Sequence, residues 1–126
     1  MMVCLDSWAV MRWLDGVEPT ASQVDDCMAT APVMSWVNVA EVYYMTERLA
    51  GRANAEEVAD ALRLRLRLDE ATPTRTLEAA RVKAAFPMAL ADAFAVATAQ
   101  AHRAVLWTGD PEILDAGGDW ETLDLR

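Results

Sequence analysis

The sequence is short of residues on which several common classes of protein depend. Its 126 residues contain two cysteines, too few for a disulfide scaffold, so we expect reduced thiols. The single histidine, His102, leaves no visible Ser–His or Cys–His nucleophile and is interpreted as structural or solvent-exposed. No apolar run approaches the roughly 20 residues that cross a membrane, and the start, MMVCLDSW, does not resemble a secretion signal. We therefore expect a cytoplasmic protein with no membrane partner.

Positive charge is also scarce. Eleven basic residues against twenty acidic ones give a net charge of −9, so the chain is not expected to bind nucleic acid through its overall charge. A polyanionic substrate needs bound cations or a local basic surface, whereas a basic polypeptide is a natural partner. Apolar residues, by contrast, make up 54% of the chain. This content favours a single packed domain over residues 1–126.

Short apolar runs alternate with segments of helical spacing along the whole chain. The predicted strands lie at 2–5, 32–36, 66–71, 104–108 and 121–125. Apolar strands that alternate with helices predict crossover connections and a parallel sheet covered by helices on both faces. Asn54-Ala-Glu-Glu57 resembles a capping box and predicts the start of a helix. Because the stretch 62–68 alternates leucine and arginine, we predict that this helix ends near Arg65, before the third strand. Its arginines either form a solvated face or contact a phosphate or a partner.

Four acidic residues fall at similar places in this alternation. Asp6 directly follows the first strand, and Asp110 follows the fourth strand. Glu41 lies in the first turn of the helix after the second strand, and Asp92 opens the alanine-rich helix predicted over 89–102. Because helix starts gather along one edge of an open parallel sheet, where ligands bind, we expect these carboxylates to converge.

Each acid also has an ordinary structural interpretation. Asp6 and Asp110 can cap helices, and Asp92 can complement a helix dipole. Glu41 stands three residues after Asn38, which is the spacing of a capping box. As a set, however, converging carboxylates repel one another and their pKa values rise unless a cation is present. The set therefore predicts a site for Mg²⁺ or Mn²⁺, which prefer carboxylate and water oxygens.

The segments that carry these acids resemble those of a known family. They are VCLDSWAV, SWVNVAEVYY, LADAFAVATA and LWTGDPEIL. In this order they resemble the PIN-domain ribonucleases, especially the toxin of VapBC-type toxin–antitoxin pairs. The resemblance implies a three-layer α/β/α fold with about five parallel strands in the order 3-2-1-4-5. It also implies a metal-dependent endonuclease that hydrolyses RNA phosphodiesters and leaves 5′-phosphate and 3′-hydroxyl ends.

The resemblance also assigns roles to individual residues. Asp6, Glu41, Asp92 and Asp110 correspond to the acidic quartet of the family, and are therefore the expected catalytic residues and metal ligands. Thr108 corresponds to the small hydroxyl residue before the last acid and is expected to orient it.

Other residues are expected to have supporting or structural roles. Ser7 and Asp115 are expected to support the site from its edge. Two positions depart from the family pattern, since Trp8 stands where a small polar residue is frequent and Ala89 where a serine often stands. Trp8 is either a packing residue or a platform for an RNA base. Asp69, near the end of the predicted third strand, is expected on a solvated face.

The family further implies a homodimer and an antitoxin whose basic segment lies over the acidic pocket. We expect Trp13, Tyr43, Tyr44 and Leu49 to contribute apolar contacts to that partner. One alternative is a receiver-type phosphoacceptor domain, but Asp6 stands alone after the first strand and the only lysine, Lys83, lies inside a helix. A second alternative is a non-catalytic binding module, which the complete quartet disfavours.

Overall fold

Five short parallel strands form a single sheet in a computed structural model that describes residues 1–126. The strands are β1 Val3–Leu5, β2 Val33–Ser35, β3 Arg67–Asp69, β4 Val105–Thr108 and β5 Thr122–Asp124. Their order across the sheet is 3-2-1-4-5, and every neighbouring pair is parallel. The predicted fold class and strand order are therefore confirmed.

Seven helices connect the strands. They are α1 Ser7–Leu14, α2 Thr20–Met28, α3 Trp36–Ala50, α4 Arg52–Arg65, α5 Pro73–Ala85, α6 Leu90–Ala101 and α7 Pro111–Leu114. Local sequence sets several of their ends. The side chain of Thr72 caps α5 ahead of Pro73, and Gly51, with φ of +89°, ends α3 and turns the chain into α4.

The helices cover both faces of the sheet, because successive strand residues point to opposite sides. Val3 and Leu5 of β1 belong to a core formed with residues of α1 to α4, whereas Cys4 between them belongs to a second core formed with α5 and α6. The protein thus has three layers, with the sheet in the middle.

The alanine-rich helix α6 lies in the most enclosed position of the fold. Its seven consecutive residues Ala93–Ala99 are all buried, because α5, α3 and the sheet surround it. The small alanine side chains allow these neighbours to approach closely. The helix begins with Leu90, so Asp92 lies in its first turn, at the rim of this buried region.

Two predicted helix starts are wrong. The second strand ends at Ser35, whose side chain caps α3, so Trp36 belongs to the helix and Glu41 lies in its second turn. Asn38 is consequently inside α3 and forms no capping box. Likewise, α4 starts at Arg52 without a side-chain cap, and Asn54 instead donates to the carbonyl of Ala50 at 2.7 Å.

The solvated position predicted for Asp69 is also wrong. Its side chain is 10% exposed and accepts hydrogen bonds from Arg75 Nε at 2.8 Å and Nη2 at 3.2 Å. Nε2 of His102 lies 2.8 Å from the same carboxylate. These contacts join the end of β3 to α5 and α6, and they lower the pKa of Asp69 against the opposing effect of burial. His102 thus has the structural role expected of it.

No single helix combines the length and apolar character needed to span a membrane. The pair α5 and α6 meets that test only when taken together, and the two helices meet at 116°.

Candidate metal centre

Asp6 lies where β1 ends and α1 begins, and the protein holds both of its carboxylate oxygens. Oδ1 accepts the backbone N–H of Ala9 at 2.9 Å, as an N-cap does. Oδ2 accepts the hydroxyl hydrogen of Thr108, which is the last residue of β4. The residue is only 2% exposed. The Asp6 carboxylate therefore both caps α1 and belongs to the candidate site.

Burial raises the pKa of Asp6 from its ordinary 3.8 to about 7. The hydrogen bonds from Thr108 and Ala9 oppose this rise, whereas the negative charges of Asp110 and Glu41 add to it. No arginine, lysine or histidine forms an ion pair with Asp6. A buried carboxylate beside two other acids and without a paired cation is a favourable place for a bound positive ion.

Three further carboxylates approach one another closely beside Asp6. One carboxylate oxygen from each of Asp92, Asp110 and Glu112 can be chosen so that all three atoms lie within 4.8 Å of one another. We call these three residues the carboxylate cluster. Two of its members belong to the predicted quartet, and Glu112 is the member that the sequence analysis does not name.

Burial and the charge of Asp110 together raise the pKa of Asp92 to about 8. The side chain of Glu112 adds to this rise through a hydrogen bond with Asp92, and Glu41 adds to it through its charge. In the absence of a cation, Asp92 therefore holds a proton near neutral pH. The effects of Glu41 on both Asp6 and Asp92 place its charge near the same centre.

Glu41 reaches this centre from α3 and is held by two donors. Its Oε1 accepts the hydroxyl of Ser7 at 2.8 Å and the amide Nδ2 of Asn38 at 3.0 Å. Asn38 is 1% exposed, and its Nδ2 also donates to the carbonyl of Ala91 at 3.1 Å. The amide thereby ties α3 to the first turn of α6. This role of Asn38 was not predicted from the sequence, although Asn38 and Glu41 stand three residues apart and so share one face of the helix.

Asp110 follows β4 and caps α7. Its Oδ1 accepts the N–H of Glu112 at 2.9 Å, and its own N–H donates to the hydroxyl oxygen of Thr108 at 3.0 Å. Thr108 is completely buried. It therefore contacts both Asp6 and Asp110.

Glu112 connects the carboxylate cluster to the start of α6. Its Oε2 accepts the backbone N–H of Ala89, the residue before the helix, at 3.0 Å. This bond and the hydrogen bond with Asp92 hold the pKa of Glu112 below its ordinary value, and the charge of Lys83 contributes. A small capping side chain is absent at Ala89, so Glu112 fills part of that role from another helix. The feature of the sequence that indicates a role for Glu112 is its position in the first turn of α7, two residues after Asp110.

Asp115 and Trp8 lie at the margins of this arrangement. Asp115 is an exposed residue at the carboxyl end of α7, and its charge acts on Arg126 rather than on Asp6 or Asp92. Trp8 is half-buried and packs against the core that includes α1 to α4. Its indole ring lies on the backbone of Gly109, where a Cβ atom would fall 2.2 Å from ring atom Cζ2.

The residues present fit a hard divalent cation. Every candidate ligand is a carboxylate oxygen, which is the donor that Mg²⁺ and Mn²⁺ prefer. We call the carboxylate cluster together with Asp6 and Glu41 the acidic site. None of its five acids takes part in an ion pair. Such uncompensated negative charge is stabilised by a bound cation.

Several solved structures share this fold at low sequence identity. A VapBC2 complex from Rickettsia felis, bound to a DNA fragment from its promoter, matches with a TM-score of 0.78 at 13% identity over 100% of both chains. VapC20 of Mycobacterium tuberculosis, a toxin that cleaves the sarcin–ricin loop, matches at 0.75 and 15% identity over 93% of this chain and 96% of that one. DNA-bound VapBC from Salmonella typhimurium matches at 0.78 and 14% identity over 98% of both.

No curated protein sequence matches the chain. A family model, that of the PIN domain, matches residues 3–118. This range contains β1 to β4, all seven helices and every acid of the acidic site. The resemblance indicated by the four sequence segments is thereby confirmed, and the chain belongs to the PIN domain family.

Proposed function

We propose that this protein is a metal-dependent ribonuclease that acts as the toxin of a toxin–antitoxin pair. The observation that carries the proposal is the carboxylate cluster, whose three ligand atoms lie within 4.8 Å of one another beside Asp6. Elements distant in sequence bring these acids together at one end of the sheet. Membership of the PIN domain family and the likeness to VapC toxins support the same activity.

The donor set favours Mg²⁺ or Mn²⁺ as the cofactor. Asp6, Asp92 and Asp110, with Glu41, are the proposed ligands of the quartet, and Glu112 joins them. A divalent cation lowers the pKa of its bound water and offsets negative charge on a phosphate and its leaving oxygen. When bound, its charge would favour the deprotonated forms of Asp6 and Asp92, whose pKa values are raised without it.

The protein's own residues fix the positions of these carboxylates. Asp6 and Asp110 cannot rotate freely, since each caps a helix and each contacts Thr108. Ser7 and Asn38 both donate to Oε1 of Glu41, which fixes the position of this carboxylate. Ser7 and Thr108 are in this proposal positioning residues, because each acts through an acid.

RNA is the proposed substrate. VapC20, which shares the fold, cleaves the sarcin–ricin loop. A divalent cation held by these acids would supply an activated water, so that hydrolysis would not need the RNA 2′-hydroxyl. The products of this reaction carry 5′-phosphate and 3′-hydroxyl ends. Attack by the 2′-hydroxyl leaves a cyclic phosphate instead, so the chemistry of the ends tests the proposed mechanism.

We also propose an antitoxin partner and a homodimer. The structures from Rickettsia felis and Salmonella typhimurium are VapBC assemblies, and the net charge of −9 suits a basic segment. Two of the residues expected to make apolar contacts with the antitoxin line separate recesses. Tyr43 lines one of about 290 Å³ between α3 and α4, and Leu49 lines one of about 230 Å³ beside α1. Trp13 lies near α2, and Tyr44 is 42% exposed.

The test compares Asp92→Asn with the wild type and with Asp60→Asn. The Asp92→Asn side chain keeps its shape but loses its charge, and Asp60 is an exposed acid on α4 with no hydrogen bond or ion pair, so it controls for loss of one negative charge. Purified proteins are incubated with total cellular RNA and Mn²⁺, and cleaved ends are mapped. We expect metal-dependent 5′-phosphate ends from the wild type and Asp60→Asn only. Equal cleavage by Asp92→Asn would overturn the proposed function.

A further inference from the structure

Trp8 connects the acidic site to an arginine on the protein surface. Its ring packs on Gly109, the residue between Thr108 and Asp110. The guanidinium carbon of Arg12, one turn further along α1, lies 4.6 Å from the centroid of the same ring. A cation is therefore held against an aromatic ring that packs on the backbone between Thr108 and Asp110.

Arg12 is free to bind a ligand. It is exposed, forms no ion pair and donates no side-chain hydrogen bond, so all of its N–H groups remain available. Stacking on Trp8 restrains the guanidinium plane, so less conformational freedom is lost when the fork binds a partner. The restrained fork matches the geometry of a phosphate, which accepts two parallel hydrogen bonds.

Other arginines stack on aromatic rings, but their placement differs. Arg63 stacks on Trp36, Arg48 on Tyr44 and Arg65 on Trp13. Trp36 lines the recess between α3 and α4, and Arg65 also approaches Asp25 at 4.0 Å. Trp8 differs because it lies two residues after Asp6 and packs on the backbone next to Asp110.

We propose that Arg12, supported by Trp8, binds an RNA phosphate next to the scissile phosphodiester. The inference rests on the proposed ribonuclease function. A chain of charge −9 with five uncompensated acids at its site repels an RNA backbone, and a fixed cation at the rim of the site offsets that repulsion where the strand enters. Trp8 acts as the support of the guanidinium rather than as a platform for a base, because its ring is already occupied by Arg12 and Gly109.

The inference is tested by RNA binding in a background that does not cleave. Arg12→Gln is introduced into the Asp92→Asn protein, and affinity for two unrelated fluorescent single-stranded RNAs is measured by anisotropy in Mg²⁺ at several salt concentrations. We expect affinity for both RNAs to fall about tenfold, the usual effect of losing one charge-assisted hydrogen bond. The slope of log affinity against log salt should shrink by about 0.7, the contribution of one phosphate contact on a single strand.

Arg103→Gln in the same background is the matched control. Arg103 is exposed and without an ion pair, and it lies just before β4, at the amino edge of the sheet. The Arg103→Gln substitution removes one positive charge, as Arg12→Gln does, but at a position away from the acidic site. The RNA affinity and the salt slope should therefore equal those of the Asp92→Asn parent. An equal effect of Arg103→Gln would show that only net charge matters and would overturn the inference.

The role of Trp8 is tested by two substitutions, since a half-buried ring also contributes to packing. Trp8→Phe keeps a ring beneath Arg12 and should retain most of the affinity, whereas Trp8→Leu should weaken RNA binding about as much as Arg12→Gln. Combining Trp8→Leu with Arg12→Gln should cause no further loss, because both changes remove one contact.

Each failure can be assigned to its own cause. Unchanged affinity and salt slope in Arg12→Gln, or no RNA binding by the parent protein, would overturn the role of Arg12. Additive losses in the double variant would overturn its support by Trp8. Cleavage of the RNA by the Asp92→Asn parent would instead overturn the proposed catalytic site. This cleavage is detected from the length of the RNA in the same samples.

Discussion

The hydroxyl group of Thr108 joins Asp6 to Asp110. It donates its hydrogen to Oδ2 of Asp6 and accepts the backbone N–H of Asp110 at 3.0 Å. Because Asp6 follows β1 and Thr108 ends β4, the contact crosses between two neighbouring strands of the sheet. One buried side chain therefore fixes the separation of two proposed ligands that lie more than a hundred residues apart in the sequence.

Replacing Thr108 by Val should damage both the fold and the metal site. Valine has nearly the same shape but leaves a buried carboxylate oxygen and an N–H without their partner, at a cost of about 1–3 kcal/mol in the free energy of unfolding. Affinity for Mn²⁺ should fall about 10–100-fold, as is usual when a group that orients a ligand is removed.

Thr108→Ser keeps the hydroxyl and is the rescue variant. Urea denaturation and calorimetric Mn²⁺ titration should return close to wild-type values for Thr108→Ser, apart from a small packing loss. A Thr108→Val protein that binds Mn²⁺ as tightly as the wild type would show that the hydroxyl does not position the ligands.

Without metal, the protein should become less stable as the pH rises from about 4 to about 8. The pKa of Asp6 is raised to about 7 and that of Asp92 to about 8, from an ordinary 3.8. In this window the unfolded chain has lost these protons while the folded chain retains them, so stability falls with increasing pH. Urea denaturation in EDTA at several pH values measures the slope, which should be shallower in Asp92→Asn. A metal-free wild type that gains stability over this window would contradict the predicted proton retention.

Bound metal should reverse that loss. At a hundredfold excess over its Kd, a ligand that binds only the folded state adds about 2.7 kcal/mol to the free energy of unfolding. Because the cation replaces protons on Asp6 and Asp92, its affinity and its stabilising effect should both grow between pH 6 and pH 8, a window taken from the two raised pKa values of about 7 and about 8. Thermal melts with and without Mn²⁺ test this expectation, and the double variant Asp6→Asn with Asp110→Asn should show no shift. A shift of wild-type size in that double variant would place the cation elsewhere.

The sequence was sufficient to predict those parts of the site that depend on regular topology. Asp6 and Asp110 follow neighbouring parallel strands, so their convergence follows from the alternation of strands and helices. The strand order 3-2-1-4-5 came with the family resemblance and matches the structure.

Features that depend on how helices pack against one another could not be predicted. Glu112 reaches the N–H of Ala89 only because α7 lies beside the start of α6. Asp69 is buried by contacts with Arg75 and His102, of which His102 is 33 residues away. The position of Asn38 was misassigned for a local reason, since Ser35 is an effective N-cap and begins α3 three residues earlier than expected.

The two roles of Glu112 can be separated by substitution. Glu112→Gln retains an oxygen that accepts the Ala89 N–H but loses the charge, so the melting temperature should change little while Mn²⁺ affinity falls. Glu112→Ala loses both the charge and the acceptor at the start of α6, so it should lower the melting temperature as well. Melting curves and Mn²⁺ titrations of both variants provide the comparison. Wild-type Mn²⁺ affinity in Glu112→Gln would mean that the residue serves only the helix.

Inhibition by the proposed antitoxin should depend on the metal. A site that gathers five carboxylates without an ion pair is suited to a basic side chain, and an arginine fork binds carboxylates in a bidentate manner. We therefore expect the partner to insert an Arg or Lys among Asp6, Glu41, Asp92 and Asp110, in competition with Mg²⁺. Raising Mg²⁺ should lower its inhibitory potency, measured as the concentration that halves RNA cleavage.

Truncating that basic residue in the partner should relieve inhibition more than it weakens binding. The remaining contacts are expected to be apolar and to use the recess beside Tyr43 and the exposed side chain of Leu49, which is 77% exposed. Such contacts hold the partner without filling the acidic site, whereas charge pairs at the rim mainly speed association and weaken with salt. If the partner's inhibitory potency is independent of both Mg²⁺ and the basic residue, the partner instead blocks the path of the RNA sterically. Arg12, the proposed RNA contact, is then the first residue to examine for contact with the partner.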